Sequence, residues 1–304
     1  MIKDMPHTMP PAMIASLGPD VPHALLSATG RYAGLLPWDI DRPFPHAAQW
    51  LESKFPLWAF SVVEDWASGA FDHLETVVFS RGDDAAQRLY YYLCELQRRG
   101  LVGGPEPVIL DVARIPRPGG EQRCTDAVTE LAARLAVEPE AVARAIEQAN
   151  AALPAAPSCA GKRACLLAGT LPPDNRLHHM IEHAGWHPVG QTMGDAWGCQ
   201  QSAVERHSDG PFAALGRQIH QSRTGARSFH DRRAALTQRV ADTAAKAAIL
   251  WYAEEDEAEV WNLPAQRDAL AQAGVPTLIL TRRSWRADDG VAGEIAQFLQ
   301  EFDR

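Results

Sequence analysis

Residues 73–100 read HLETVVFSRGDDAAQRLYYYLCELQRRG. The first eight form a short apolar run of strand type, bounded by a polar turn, Ser80-Arg81-Gly82-Asp83-Asp84. From Asp83 onward the spacing predicts a strong helix. It has two acids at its start and Arg98-Arg99 near its end, the signs that suit a helix dipole. A strand that passes through a turn into a helix is the building unit of an α/β sheet, and such sheets bind ligands at that junction.

Working outward, the same alternation recurs. PHALLSATG (22–30) predicts a short helix stopped by Gly30. YAGLLPW (32–38) predicts the first strand. PFPHAAQWLESKF and PLWAFSVVEDWASGAF (43–71) predict helices broken at Pro56. PEPVILDVA (105–113) predicts a further strand. Residues 121–153 are alanine-rich, with apolar residues near helical spacing, and predict two helices meeting at Pro139. LPAAPSCAG (153–161) has the composition of a linker.

After it the pattern restarts. KRACLLAGT, WHPVGQTM, AAILWYAEED and VPTLIL predict strands. PPDNRLHHMIEHAG, DRRAALTQRVADTAAKA, LPAQRDALAQAG and GVAGEIAQFLQEF predict the helices between and after them. A polar, arginine-rich stretch over 205–230 has no assigned element. Strands alternating with helices mean parallel sheets. The expected fold is therefore α/β, two Rossmann-like or flavodoxin-like lobes joined by a helical segment. The expected parts are a loose arm over 1–20, an N-terminal lobe over 21–120, a helical connector and linker over 121–160, and a C-terminal lobe over 161–304.

The 304 residues are 46% hydrophobic and 22% charged, a globular composition, and the formal net charge is −9. That balance argues against a nucleic-acid partner, which wants clustered cations. The pairs Arg98-Arg99, Arg232-Arg233 and Arg282-Arg283 read as solvated helix ends, the alternative being a clamp on a phosphate-bearing ligand. No stretch approaches the roughly 20 apolar residues of a membrane span, and residues 1–20 hold no apolar run of signal-peptide type. A cytoplasmic location is expected. Five scattered cysteines, Cys94, Cys124, Cys159, Cys165 and Cys199, form neither a disulfide framework nor a C-x-x-C pair.

No dinucleotide fingerprint, P-loop or nucleophile elbow is present. His179 and His183 stand four apart and share a helix face, a metal-ligand spacing. Leu177, Ile181 and Ala184 make the opposite, buried face, so the histidines are expected in solvent. Two acidic turns remain, Asp83-Asp84 and Glu254-Glu255-Asp256-Glu257, each at the carboxyl end of an expected strand. Acids there cap helices or face a ligand.

The ordered set of segments resembles the 2-hydroxyacyl-CoA dehydratase and benzoyl-CoA reductase family, in its smaller, D-component-like subunits. The similarity is carried by VPHALLSATGRYAGLLPW (21–38), FDHLETVVFSRGDDAAQRLYYYL (71–93), CLLAGTLPPDNRLHHMIEHAGWHPVG (165–190), DGPFAALGRQI (209–219) and the stretch from AAILWYAEED to IAQFLQEF (247–302). The resemblance implies an iron–sulfur cluster held by three cysteines per subunit, a CoA thioester as substrate, and a related subunit or a second copy as partner. The positions matching those cysteines hold Phe55-Pro56, Gly82-Asp83 and Glu255 or Asp256. Carboxylates are poor substitutes for thiolates on a cluster. The expectation is a dehydratase-like subunit with no cofactor of its own, the cluster being supplied by a partner.

Two alternatives stand beside this: a non-catalytic member that binds a small ligand or a partner protein, and a divalent-metal enzyme built on Asp83, Asp84, Glu255 and Asp256. The expected cleft residues are Phe55, Trp58, Arg81, Gly82, Asp83, Asp84, Trp197, Trp251, Glu254, Glu255 and Asp256. Trp261 is a further aromatic candidate.

Overall fold

Strand β3 (Leu74–Ser80) is buried at every position but one, and α4 (Asp84–Arg98) follows it after the expected turn. The computed structural model describes residues 13–112, 114–153, 161–223 and 229–303. Around β3 stand β1 (Met13–Leu17), β2 (Tyr32–Leu35) and β4 (Glu106–Leu110), in the order β2-β1-β3-β4, all parallel. Helices α1 (His23–Ala28), α2 (Ala47–Trp50) and α3 (Leu57–Ala67) connect the first three strands.

The second sheet repeats this topology. It holds β5 (Ala164–Gly169), β6 (His187–Val189), β7 (Ala247–Ala253) and β8 (Thr277–Arg283), ordered β6-β5-β7-β8 and parallel throughout. Between them run α7 (Arg176–His183), α8 (Met193–Trp197), α9 (Pro211–Gln221), α10 (Arg232–Thr243), α11 (Glu257–Val260) and α12 (Leu263–Gln272), with α13 (Val291–Gln300) last. Helices α5 (Gly120–Arg134) and α6 (Pro139–Ala151) join the lobes and break at Pro139, as the sequence predicts. The two-lobed α/β class is therefore what the chain adopts. Each lobe has the flavodoxin-like 2-1-3-4 order.

Three details depart from expectation. The arm over 1–20 ends in a strand. Met13–Leu17 is the inner strand β1, hydrogen-bonded to both β2 and β3, and its last four residues are buried. A strand covered on both faces shows no alternation, only a short apolar run, and MIASL lies beside Pro- and Met-rich residues that mask it. YAGL is accordingly the second strand. The remainder of the arm lies outside the described residues, as does most of the linker at 153–161, with Cys159.

The third departure is α9, inside the polar stretch 205–230. Ala214, Leu215 and Ile219 are buried with Val128, Leu131, Val142 and Ile146 of α5 and α6 and with Ile14 and Val78 of the first sheet. The chain thus leaves the second lobe and returns to the first. Gly216 marks the crossing: a Cβ there would lie 2.6 Å from Thr125 Cα, closer than atoms pack, so only glycine admits this helix contact.

The lobes meet over one continuous core that includes Leu17, Phe79, Cys165 and Trp251. Three indoles bridge the seam. Trp58 and Trp197 stand edge to face at 5.3 Å, and Trp38 packs on both. Trp38 Nε1 donates to Pro173 O. Beside it Arg176 bonds Asp41, and Arg286 Nε donates to Ile40 O. These contacts set the angle between the two sheets and so the shape of what lies between them.

Candidate functional site

In an open parallel sheet the ligand crevice lies beyond the carboxyl ends of the two strands where the order reverses. Here those strands are β1 and β3 in one lobe, β5 and β7 in the other. Both crevices open into a single cavity of about 1080 Å³. The first lobe contributes Asp20 after β1 and Asp83 and Asp84 after β3. The second contributes Gly169 at the end of β5 and Thr170 after it, and Glu255, Asp256 and Glu259 after β7.

Asp83 is the N-cap of α4, its Oδ1 accepting from Ala86 N at 2.8 Å. Asp256 caps α11 through Glu259 N, and its Oδ2 accepts from Thr170 Oγ1 at 2.8 Å. Both acids are therefore caps and cavity lining at once. Burial pushes Asp83 up to about 6. The Ala86 amide opposes that rise, and the charges of Asp256 and Asp84 reinforce it. Burial likewise raises Asp256, against the pull of the Thr170 hydroxyl. Glu255 is raised by burial and accepts from Trp285 Nε1 at 2.6 Å. The two acidic turns thus share one cleft and feel each other's charge.

Trp58 and Trp197 also line the cavity. The other expected cleft residues do not. Phe55 is buried in the core, edge-on to Tyr92 with the Arg88 guanidinium over its ring at 4.1 Å. Arg81 turns away from the cleft to pair with Asp111. Gly82 is buried with the Asp20 carboxylate against it, where a Cβ would stand 2.8 Å from Oδ2. Trp251 is fully buried, edge to face with Trp285. Glu254 points outward to Arg282, and Trp261 is 83% exposed. For Arg81, Trp251 and Glu254 the reason is strand alternation: one residue's step along a strand end turns a side chain from the cleft to the core or to solvent. Phe55 and Trp261 lie instead in connections between helices. Of the arginine pairs, only Arg232 lines the cavity, held by Glu259 at 2.7 Å.

Several lining or supporting residues carry no motif. Asp20 has φ +61°, and an Arg114 guanidinium nitrogen lies 2.7 Å from its Oδ2, both side chains almost wholly buried. Burial pushes the Asp20 carboxyl up, and Arg114 and the Ser222 hydroxyl hold it back. The Arg114 NH2 also reaches Gly82 O. Arg114 follows β4, so it joins the ends of β4, β1 and β3 through Asp20 and Gly82. His23, inside the cavity wall, is lowered to about 4 by burial. Applying the strand-end rule to MIASLGPD and CLLAGT would have found Asp20 and Thr170, had the first been read as a strand.

Among the described residues no group of three or more His, Cys, Asp or Glu side chains is arranged to hold a metal ion. The hydrogen bonds above engage three of the four carboxylates of the metal alternative, Asp83, Glu255 and Asp256. His179 and His183 are exposed, as expected. Of the described cysteines, Cys124 and Cys165 are buried, Cys94 is half-buried on α4, and Cys199 alone lines the cavity. A three-thiolate cluster does not fit this donor set. No described helix is long and apolar enough to cross a membrane. The chain matches no protein-family model, and a search of curated proteins finds no match.

Proposed function

We propose that this chain is a ligand-binding subunit of the 2-hydroxyacyl-CoA dehydratase and benzoyl-CoA reductase type. It takes a CoA thioester in its interlobe cavity and holds no iron–sulfur cluster of its own. The observation that carries this reading is the convergence of both switch points on one cavity of about 1080 Å³, at or above the roughly 300–1,000 Å³ usual for small-molecule sites. Its walls combine indoles with cations and acids, the composition that seats a large amphipathic ligand. The positions matching that family's cluster cysteines hold Phe55-Pro56, Gly82-Asp83 and Glu255 or Asp256, and none of these is a soft ligand. The electron-carrying cluster then belongs to a related partner subunit.

The test is anaerobic co-expression with candidate cluster-bearing subunits, followed by iron analysis and calorimetric titration with acyl-CoA thioesters. The expected result is an iron-free chain that binds thioester and co-purifies with a brown partner. An iron-bearing chain isolated alone, or no thioester binding with or without a partner, overturns the reading. A second reading, ligand binding without turnover, is favoured by one observation: Asp83 and Asp256 act as helix caps. Thioester binding with no dehydration or reduction in the reconstituted complex would select it.

A further inference from the structure

We propose that the interlobe cavity contains a carboxylate-binding subsite at Arg239, where α10 faces the ends of β5 and β6, so that its ligand carries a carboxylate at that end. The inference rests on the reading of the cavity as a ligand site. It adds the chemical class and the orientation of what binds there.

Arg239 lines the cavity wall. One guanidinium nitrogen, NH2, donates to Leu167 O at 3.2 Å. That carbonyl lies one residue beyond the last β5–β6 pair, Leu166 with Val189. The contact accounts for one of the five N–H donors of the fork. No carboxylate pairs with Arg239 among the described residues. Asp242, the acid one turn along α10, instead accepts from Gln238 Nε2 at 2.6 Å.

The residue is accessible to solvent, yet the surrounding protein depresses its pKa, with no carboxylate to offset the effect. Both hold on a concave wall: water reaches the group from one side, and protein covers the others. A permanent cation so placed is stabilised by an anion arriving with a ligand.

Two of the other four lining cations are visibly engaged. Arg232 is paired with Glu259, and Arg88 stacks over Phe55 while donating to Lys54 O; Lys54 and Arg223 complete the set. Across from α10 the lining is uncharged, Ala168, Val189, Gly190 and Gln191, and the one acid of α10 that lines the cavity, Asp242, is the one engaged by Gln238. The acids Asp83, Glu255 and Asp256 stand at the β3 and β7 ends, where an anion would be repelled. The acyl part of a ligand therefore lies with its carboxylate on Arg239 and its uncharged carbons toward the strand ends. A single planar fork balances one negative charge in bidentate fashion. A dianionic phosphate would want a second cation or a helix N-terminus.

The experiment titrates the full chain with glutarate, its neutral diamide and inorganic phosphate, read by calorimetry and by indole fluorescence, since Trp58, Trp197 and Trp285 line the cavity. Saturable glutarate binding is expected, with the diamide and phosphate at least tenfold weaker, about what a charged hydrogen bond contributes. Arg239→Gln should weaken glutarate by about ten- to a hundredfold. Arg239→Lys should fall between the two, because an ammonium keeps the charge and loses the fork. Arg163→Gln, on the outer surface over Trp186, should change nothing.

Equal glutarate affinity in Arg239→Gln overturns the subsite, as does a preference for phosphate. If the wild type binds a CoA thioester and no carboxylate, the subsite is overturned and the thioester reading stands. If it binds glutarate through Arg239 and no thioester, the subsite is supported and the thioester reading fails.

Discussion

The two switch points share a topology and differ in chemistry. In the first lobe a buried ion pair joins Asp20, past β1, to Arg114, past β4, and Arg114 also reaches Gly82 O, past β3. In the second lobe the equivalent strand ends are joined by a hydroxyl, Thr170 Oγ1 donating to Asp256, with the cavity open above. The ion pair is a lock: separating its members strands a charge in a low-dielectric site. The hydroxyl bridge is a lighter tie. Identical strand order thus yields one sealed floor and one accessible wall, and the side chains just past the strands decide which is which.

The sharpest break in this contrast is Arg114→Met. It leaves Asp20 buried without its cation, and chemical denaturation should show a loss of about 3–5 kcal/mol. Adding Asp20→Asn should recover most of that loss, because asparagine tolerates the left-handed backbone at φ +61° and brings no charge. Failure of the double variant to recover would mean that the pair also sets backbone geometry. The matching change in the second lobe is Thr170→Val. It removes the hydrogen bond to the Asp256 carboxyl and the one accepted from Ala253 N–H, and the same denaturation experiment should register about 1–3 kcal/mol. An equal loss at both sites would erase the distinction between lock and tie.

The third expected effect is a slope with pH. Asp83 titrates near 3.8 when exposed and near 6 in the fold. Between those values the native state holds a proton that the unfolded chain has released. Stability therefore falls as pH rises from about 4 to about 6 and levels off above. Asp83→Asn keeps the cap on α4 and should flatten that slope in melts taken across the interval. A slope of the opposite sign would show that Asp83 meets a cation and not Asp256.

How far each part was legible depends on what local pattern reports. LETVVFS and AAILWYA are long apolar runs with turn residues behind them, so β3 and β7 stand out, and both acidic turns could be placed at strand ends. MIASL is five residues with no polar alternation, so β1 was hidden, and with it Asp20. The helix α9 was hidden for another reason. Its apolar stripe, Ala214, Leu215 and Ile219, sits in a polar neighbourhood, and what it packs on lies about ninety residues earlier in the chain. Of the expected cleft residues, Trp58, Trp197, Asp83, Asp84, Glu255 and Asp256 reach the cavity. Phe55, Arg81, Gly82, Trp251 and Glu254 do not, because each lies a residue or two off the inward-pointing position.

Hydropathy and turn chemistry along the chain were enough to determine two parallel α/β lobes and a helical break at Pro139, since those depend on neighbours within a few residues. Tertiary structure alone decided that the two acidic turns share one cavity and that Arg114 reaches Asp20. It also decided that Arg239 faces the ends of β5 and β6 with no carboxylate beside it. These are relations between residues about 95 to 170 positions apart, or between a side chain and a cavity wall. They depend on how one sheet sits against the other across Trp38, Trp58 and Trp197, and no local pattern encodes that angle.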